Sequence, residues 1–438
     1  MSQGPKRYLS ESWNLVRFEP GARRTEGRGA HGCGGSGEIW LARSNVRGSL
    51  SCTGATTTIY GFAVIRQLAI HQPSSLYFSQ FSRKERPSFN AYSCLRRIYV
   101  THEAMRTLGH SSSHHWRPMG PEISGLELAA AISNAGGLGI ISFGGYPPQA
   151  LRERIRKLRM LTSRPFGVNI LLEGPHLPVP EAAFVDACIE ERVPVLSFFW
   201  GDPTCYVEKA HNAGIKVCDQ VGSVAAAKRA HRAGVDFIIA QGVEAGGHIS
   251  GTVSTMVLVP RVVDTVIPVP VVAAGGIADG RGLAAALALG AEGVALGTRL
   301  IATTECNAHE VYKQKVTAAG EEDTVRTILF GNGWPNAYHR TLRTSFVEQW
   351  LPEEKRGSEQ RSDEPIIGEV SLGGVRMPLA RFGGIPPARD SSGDIESMDF
   401  LAGQSVGLVH EIKPAAEIVR EVVDQAAAIL KEKVGTIR

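Results

Sequence analysis

The chain predicts an α/β fold, a (β/α)8 TIM barrel, and three observations carry that prediction. From Pro118 onward, short apolar runs alternate with amphipathic, alanine-rich stretches. The apolar runs are continuous, as strands covered on both faces are. Their ends are glycine or polar with unusual consistency, and barrels build their active sites at those ends. The length of 438 residues suits one barrel of roughly 250 residues plus additions.

The strand-like runs lie at 138–142, 166–172, 194–199, 215–219, 236–241, 269–274 and 293–297. Helical patterns lie between them, at 125–135, 148–161, 181–190, 204–213, 224–233, 255–263 and 280–289. Seven or eight such units in sequence favour a closed barrel over an open doubly wound sheet, which would also want GxGxxG after its first strand. An eighth strand should precede Gly125. Residues 110–117 there read His-Ser-Ser-Ser-His-His-Trp-Arg, which is not a buried barrel strand. Either 116–119 makes a short, poor strand or the start of the chain is wrongly specified. The expected organisation is a barrel over 116–317 with its first strand degraded, and an excursion packed on it over 318–400. A C-terminal segment and helix follow over 401–438. The excursion holds Gly331-Asn332-Gly333-Trp334-Pro335 and a charged, turn-rich stretch at 353–363. In the closing pattern, 413–433, Ile418, Val422, Ala426 and Ile429 line one side.

Residues 1–115 read as a long N-terminal extension, disordered or not native coding sequence. Gly, Arg and Ser dominate 20–55 and periodicity is weak. This stretch carries 15 Lys/Arg against six Glu and no Asp, whereas the remainder carries 32 basic and 37 acidic groups. The main body is therefore mildly acidic and gives no reason to invoke nucleic acid. Seven cysteines without a CxxC pair point to reduced thiols in a cytoplasmic protein. No apolar run reaches the ~18 residues of a membrane span. No apolar h-region marks a secretory signal, though an Arg/Ser-rich, acid-poor start can mimic an organellar transit peptide. The pair His114-His115 has no matching ligands, so no metal is expected.

The strand ends bring together Asn169, Trp200-Gly201-Asp202, Asp219-Gln220, Gln241 through His248, Gly275-Gly276 and Gly297-Thr298. The last two turns read as a phosphate cradle. Glycine lets backbone amides approach phosphate oxygens, and the helix after each turn adds its positive end. In Glu244-Ala245-Gly246-Gly247-His248 the glycines would let a flat ligand lie against the backbone. His248 beside it has a side chain suited to proton transfer near neutrality.

Gln-Gly-Val-Glu-Ala-Gly-Gly-His, residues 241–248, resembles the signature loop of nitronate monooxygenases, formerly 2-nitropropane dioxygenases. The likeness runs from Pro118 to about Val434, through Pro118-Met119-Gly120-Pro121, residues 133–139, Phe166-Gly167-Val168-Asn169, Ala274-Gly275-Gly276-Ile277, Gly297-Thr298-Arg299 and residues 402–408. It implies FMN held without a covalent link. Asn169, Gln241, Gly246, Gly275 or Gly276, Gly297 and Thr298 match the family's FMN-contacting positions, and Met119 would lie near the isoalloxazine. His248 matches the catalytic base. The implied partners are a small nitronate or nitroalkane and dioxygen, which give a carbonyl compound and nitrite, with neither nucleic acid nor membrane. Oligomeric state stays open. The same scaffold serves NAD(P)H-dependent flavin reductases of quinone or enoyl-acyl-carrier-protein type. An IMP-dehydrogenase-like reading would need a cysteine nucleophile, and Cys205, Cys218 and Cys306 lack the setting for it. A non-catalytic barrel remnant is the remaining alternative.

Overall fold

A computed structural model describes residues 114–116, 122–142, 147–173, 180–359, 361–372 and 375–436. Met119 and the extension up to residue 113 lie outside the described residues. The apolar runs form β2 (Gly139–Ser142), β3 (Phe166–Leu171), β4 (Val195–Phe199), β5 (Lys216–Val221), β6 (Phe237–Gln241), β8 (Val271–Ala274) and β9 (Gly293–Leu296). A short β1 (His114–Trp116) precedes them, and a two-residue β7 (Gly247–His248) follows β6. All but β7 join one parallel sheet in the order β1-β9-β8-β6-β5-β4-β3-β2. The two edges, β1 and β2, lie side by side without a ladder between them.

The sheet curls because its two faces bury separately. Alternate residues such as Val168, Leu196, Val217, Ile238, Ala273 and Val294 face the surrounding helices in one large core. Among the described residues, their neighbours Ile140, Val195, Cys218, Phe237, Ile239, Val272, Ala274 and Ala295 form a second buried cluster with Leu138. A flat sheet would leave this second face in water, at roughly 1.5–3 kcal/mol for each large side chain. Curling the sheet on itself removes the loss.

The His-His-Trp run, expected to be unfit for a barrel strand, pairs with β9 through His114↔Val294 and Trp116↔Leu296. A parallel ladder needs only backbone amides and carbonyls, so side-chain composition hid this strand.

Beyond β9 the chain forms β10 (Thr324–Thr327), β11 (His339–Leu342), β12 (Ile366–Leu372), β13 (Val375–Ala380) and β14 (Ser392–Gly393). One three-stranded sheet is β13-β12-β14; the other, β10-β11-β7, reaches back to the loop after β6. The closing helix, Ala415–Thr436, buries Ile418, Val419, Val422 and Ala426 and packs on the helix Gly280–Ala288. No helix among the described residues is long and apolar enough to cross a membrane.

Asp399 is fully buried between these parts. Neither carboxyl oxygen has a hydrogen bond of good geometry, the adjacent Thr341 hydroxyl included. Burial raises the carboxyl to about 8, so the folded chain keeps a proton that the unfolded chain sheds near 4. Stability from this group is therefore present below about pH 4 and is lost as pH rises towards 8. Asp399→Asn removes the titration. Its Tm relative to wild type should become more favourable from pH 5 to pH 8 in thermal melts, and parallel curves would refute the assignment.

Candidate active site at the strand ends

Strand alternation decides which polar residues enter the curl. Ser142, Asn169 and Ser197 are register neighbours and share the inward face with Gln220 and Gln241. Ser197 Oγ donates to Asn169 Oδ1 at 3.2 Å. Gln220 Nε2 donates to Gln241 Oε1 at 3.3 Å, and Gln241 Nε2 donates to the His248 carbonyl at 2.9 Å. A polar layer thus caps the apolar plug, and its last member holds the backbone of His248. Asn169 Nδ2 donates to no acceptor among the described residues.

Asp219 does not join this layer. It shares the parity of Val217 and Val221, which face the helices. Burial lifts its carboxyl to about 8, against the pull of Arg229. Asp202 also turns away: its Oδ1 accepts the amide of Thr204 at 3.0 Å at the start of the next helix. Of the expected Trp-Gly-Asp cluster, only Trp200 reaches His248.

The loop after β6 is held from three sides. β7 pairs antiparallel with β11, His248 opposite His339 and Gly247 opposite Arg340. Arg340 donates through Nη2 to the Val243 carbonyl at 3.0 Å. From the C-terminal segment, Gln404 donates its amide to the Glu244 carbonyl at 2.9 Å, and Gly403 donates to Thr298 Oγ1 at 2.9 Å. Glu244 accepts the amide of Thr255 at 2.9 Å, where its charge suits the start of the helix Thr255–Val266. A Cβ on Gly246 would come within 2.4 Å of the Gly403 nitrogen and 2.6 Å of the Ala402 carbonyl carbon. Gly246 was expected to admit a flat ligand; here its bare backbone also admits the tail.

Rings surround His248. Trp334 stacks on its imidazole, with centroids 4.2 Å apart and an interplanar angle of 30°. Trp200 meets it edge-on at 6.2 Å, and His339 lies 5.5 Å away. The His248 ring keeps partial exposure, yet burial and then the neighbouring His339 push it down to about 3. His339 is fully buried; its Nδ1 donates to the Ala337 carbonyl, its Nε2 accepts the Phe330 amide, and burial lowers it to about 4. Both imidazoles are neutral at working pH.

The glycine turns lie nearby. Gly275 has φ +101° and Gly276 φ +70°, a region that favours glycine. Among the described residues, neither their amides nor that of Thr298, which opens the short helix Thr298–Ile301, meets a protein acceptor. One part of the cradle is corrected. The helix Gly280–Ala288, after Gly275-Gly276, has its end occupied: Asp279 accepts the amides of Arg281 and Gly282, and Gln425 accepts that of Gly280. That turn offers glycine amides, not a helix dipole. The unspent donors, Asn169 Nδ2 and these turn amides, fit an anionic ligand rich in acceptor atoms.

A curled parallel sheet with such donors and a partly exposed imidazole at one end is the layout of an α/β enzyme. Residues 116–425 match the family model for nitronate monooxygenase. A protein of Staphylococcus aureus named probable nitronate monooxygenase is 32% identical over 348 residues, 70% of this chain and 92% of that relative. FabK from Thermotoga maritima superposes with a TM-score of 0.62 at 38% identity, covering 76% of this chain and 98% of its own. Nitroalkane oxidase from Streptomyces ansochromogenes gives 0.61 at 25% identity, covering 75% and 99%. The chain belongs to the nitronate monooxygenase family, a family of flavoprotein oxidoreductases.

Gly246→Ala should displace the tail or the loop and lower Tm by several degrees, since overpacking against backbone costs ~1–3 kcal/mol. Gly276→Ala meets nothing closer than Glu244 Cβ at 3.5 Å, so it adds only backbone strain. Equal melts for the two variants would contradict the packing described.

Proposed function

We propose that this chain is an FMN-dependent nitronate monooxygenase, converting alkyl nitronates with dioxygen to a carbonyl compound and nitrite. The observation that carries the reading is a neutral His248 fixed at a strand end beside unspent donors. We read the curled sheet as a (β/α)8 barrel with β1 as its first strand. On this reading the amides of Gly275, Gly276, Gly297 and Thr298 hold the FMN phosphate. Asn169, Gln241 and Gly246 contact the cofactor, and Met119 lies near its ring. FMN, when bound, supplies the electron-accepting chemistry. His248 orients the substrate and manages its proton; Trp200 and Trp334 exclude water around it.

Held near 3, the imidazole is a weak base. It suits a substrate already ionised at carbon better than one it must deprotonate. The nitronate of nitroethane should therefore be consumed faster than neutral nitroethane, with no inflection from His248 between pH 5 and pH 8. Oxygen uptake without NADH measures both; a rate rising through an apparent pKa near 6.5 would contradict the neutral-base assignment. His248→Asn should keep the flavin and lose at least ~100-fold in turnover of the neutral substrate.

A second reading, NAD(P)H-dependent reduction of an enoyl thioester, is favoured by the likeness to FabK, an enoyl-acyl-carrier-protein reductase. Anaerobic NADH consumption with an enoyl thioester, and no oxygen uptake with nitronates, would select it.

A further inference from the structure

We propose that Trp200 and Trp334 form an aromatic clamp at His248, which selects substrates carrying an uncharged, flat, apolar group next to the reacting carbon. This rests on the reading of His248 as the reacting end of the site. The two indoles come from distant segments, the end of β4 and the loop between β10 and β11. Their ring centroids are 5.1 Å apart, and both meet the same imidazole.

The geometry is costly to build. Trp200 has φ +62°, a conformation bulky side chains rarely adopt. It is followed by Gly201 at φ +88°, where a Cβ would come within 2.8 Å of Leu172 Cβ. Core packing does not demand this: Trp200 is partly exposed, and among the described residues its ring contacts are Phe199, His248 and Trp334. Trp334 sits in a turn whose neighbours Gly333, Pro335 and Asn336 are exposed. That turn is tied at its base, where Asn332 donates to the Phe382 carbonyl and Asn336 donates to Ser358 Oγ. The tip therefore presents one large ring to His248 from a fixed frame.

Among the described residues, the charged and titratable side chains beside this loop are engaged. Arg340 is engaged by the Val243 carbonyl and Glu244 by Thr255, while His339 is buried in its own hydrogen bonds. A ligand beside His248 thus meets indole surface and a neutral imidazole. Such a wall attracts a flat apolar group through burial and ring contact, and it leaves a charged substituent without a partner.

The test uses the FMN-loaded enzyme with two neutral, unreactive probes, benzamide and propionamide. Binding is followed by tryptophan fluorescence and by the flavin spectrum. Benzamide should bind at least about ten-fold tighter, the gap should shrink to two- or three-fold in Trp334→Ala, and Trp334→Phe should restore most of it. Trp200→Phe should narrow it less than Trp334→Ala. Equal affinities in the wild type, no binding of benzamide, or equal loss for both probes in Trp334→Ala would overturn the clamp. If nitronates are not consumed while the benzamide preference stands, the reaction assignment fails and the clamp survives. In turnover, nitronates bearing a phenyl group should show a lower KM than propionate 3-nitronate, and Trp334→Ala should bring the two KM values together.

Discussion

The position of His248 depends on a backbone ladder two residues long. Gly247 and His248 belong to a loop rich in glycine, which alone would sample many conformations. Pairing with His339 and Arg340 on β11 turns that loop into a strand end. Gln241, fixed in the curl, then holds the His248 carbonyl, and the C-terminal segment closes over Gly246. Each contact is ordinary. Together they make the curled sheet, the region beyond β9 and the tail meet at one imidazole, so its orientation is set by the whole fold.

The same convergence sets its electrostatics. The elements that place His248 also surround it with rings and with the neutral His339, and none brings a carboxylate to compensate a positive charge. An imidazole so placed stays neutral and can accept a hydrogen bond or a proton without first losing one. Among the described residues, the unspent donors at these strand ends are amides: Asn169, and the turns at Gly275, Gly276 and Thr298. A site built from dipoles rather than ions keeps its field fixed while charge moves on a bound substrate.

Much of this frame was legible in the sequence. Continuous apolar runs marked seven strands to within about two residues, since burial on both faces leaves no other composition available. Asn169, Gln241 and His248 fell at strand ends; Gln241 holds the His248 carbonyl, while Asn169 bonds Ser197 on the neighbouring strand. What stayed hidden depended on partners distant in the chain. β1 pairs through its backbone, so His114-His115-Trp116 gave no side-chain signal. Asp219 looked like a site residue because it lies beside Gln220; strand parity sends it to the helices, and counting alternation from Cys218 would have shown this. Asp279 is a residue type that caps helices, a signal that could have removed the helix end from the cradle. Trp334 and His339 sat in a segment read as an excursion, and nothing local revealed that β11 returns to the site.

The most direct test of this account is the visible spectrum of the purified chain, before and after incubation with FMN and removal of the excess. The account predicts the two absorption bands of oxidised flavin at near one FMN per chain, with weaker retention when Asn169 is replaced by Leu. A chain that stays colourless with excess FMN would contradict the assignment of the strand ends as a flavin site.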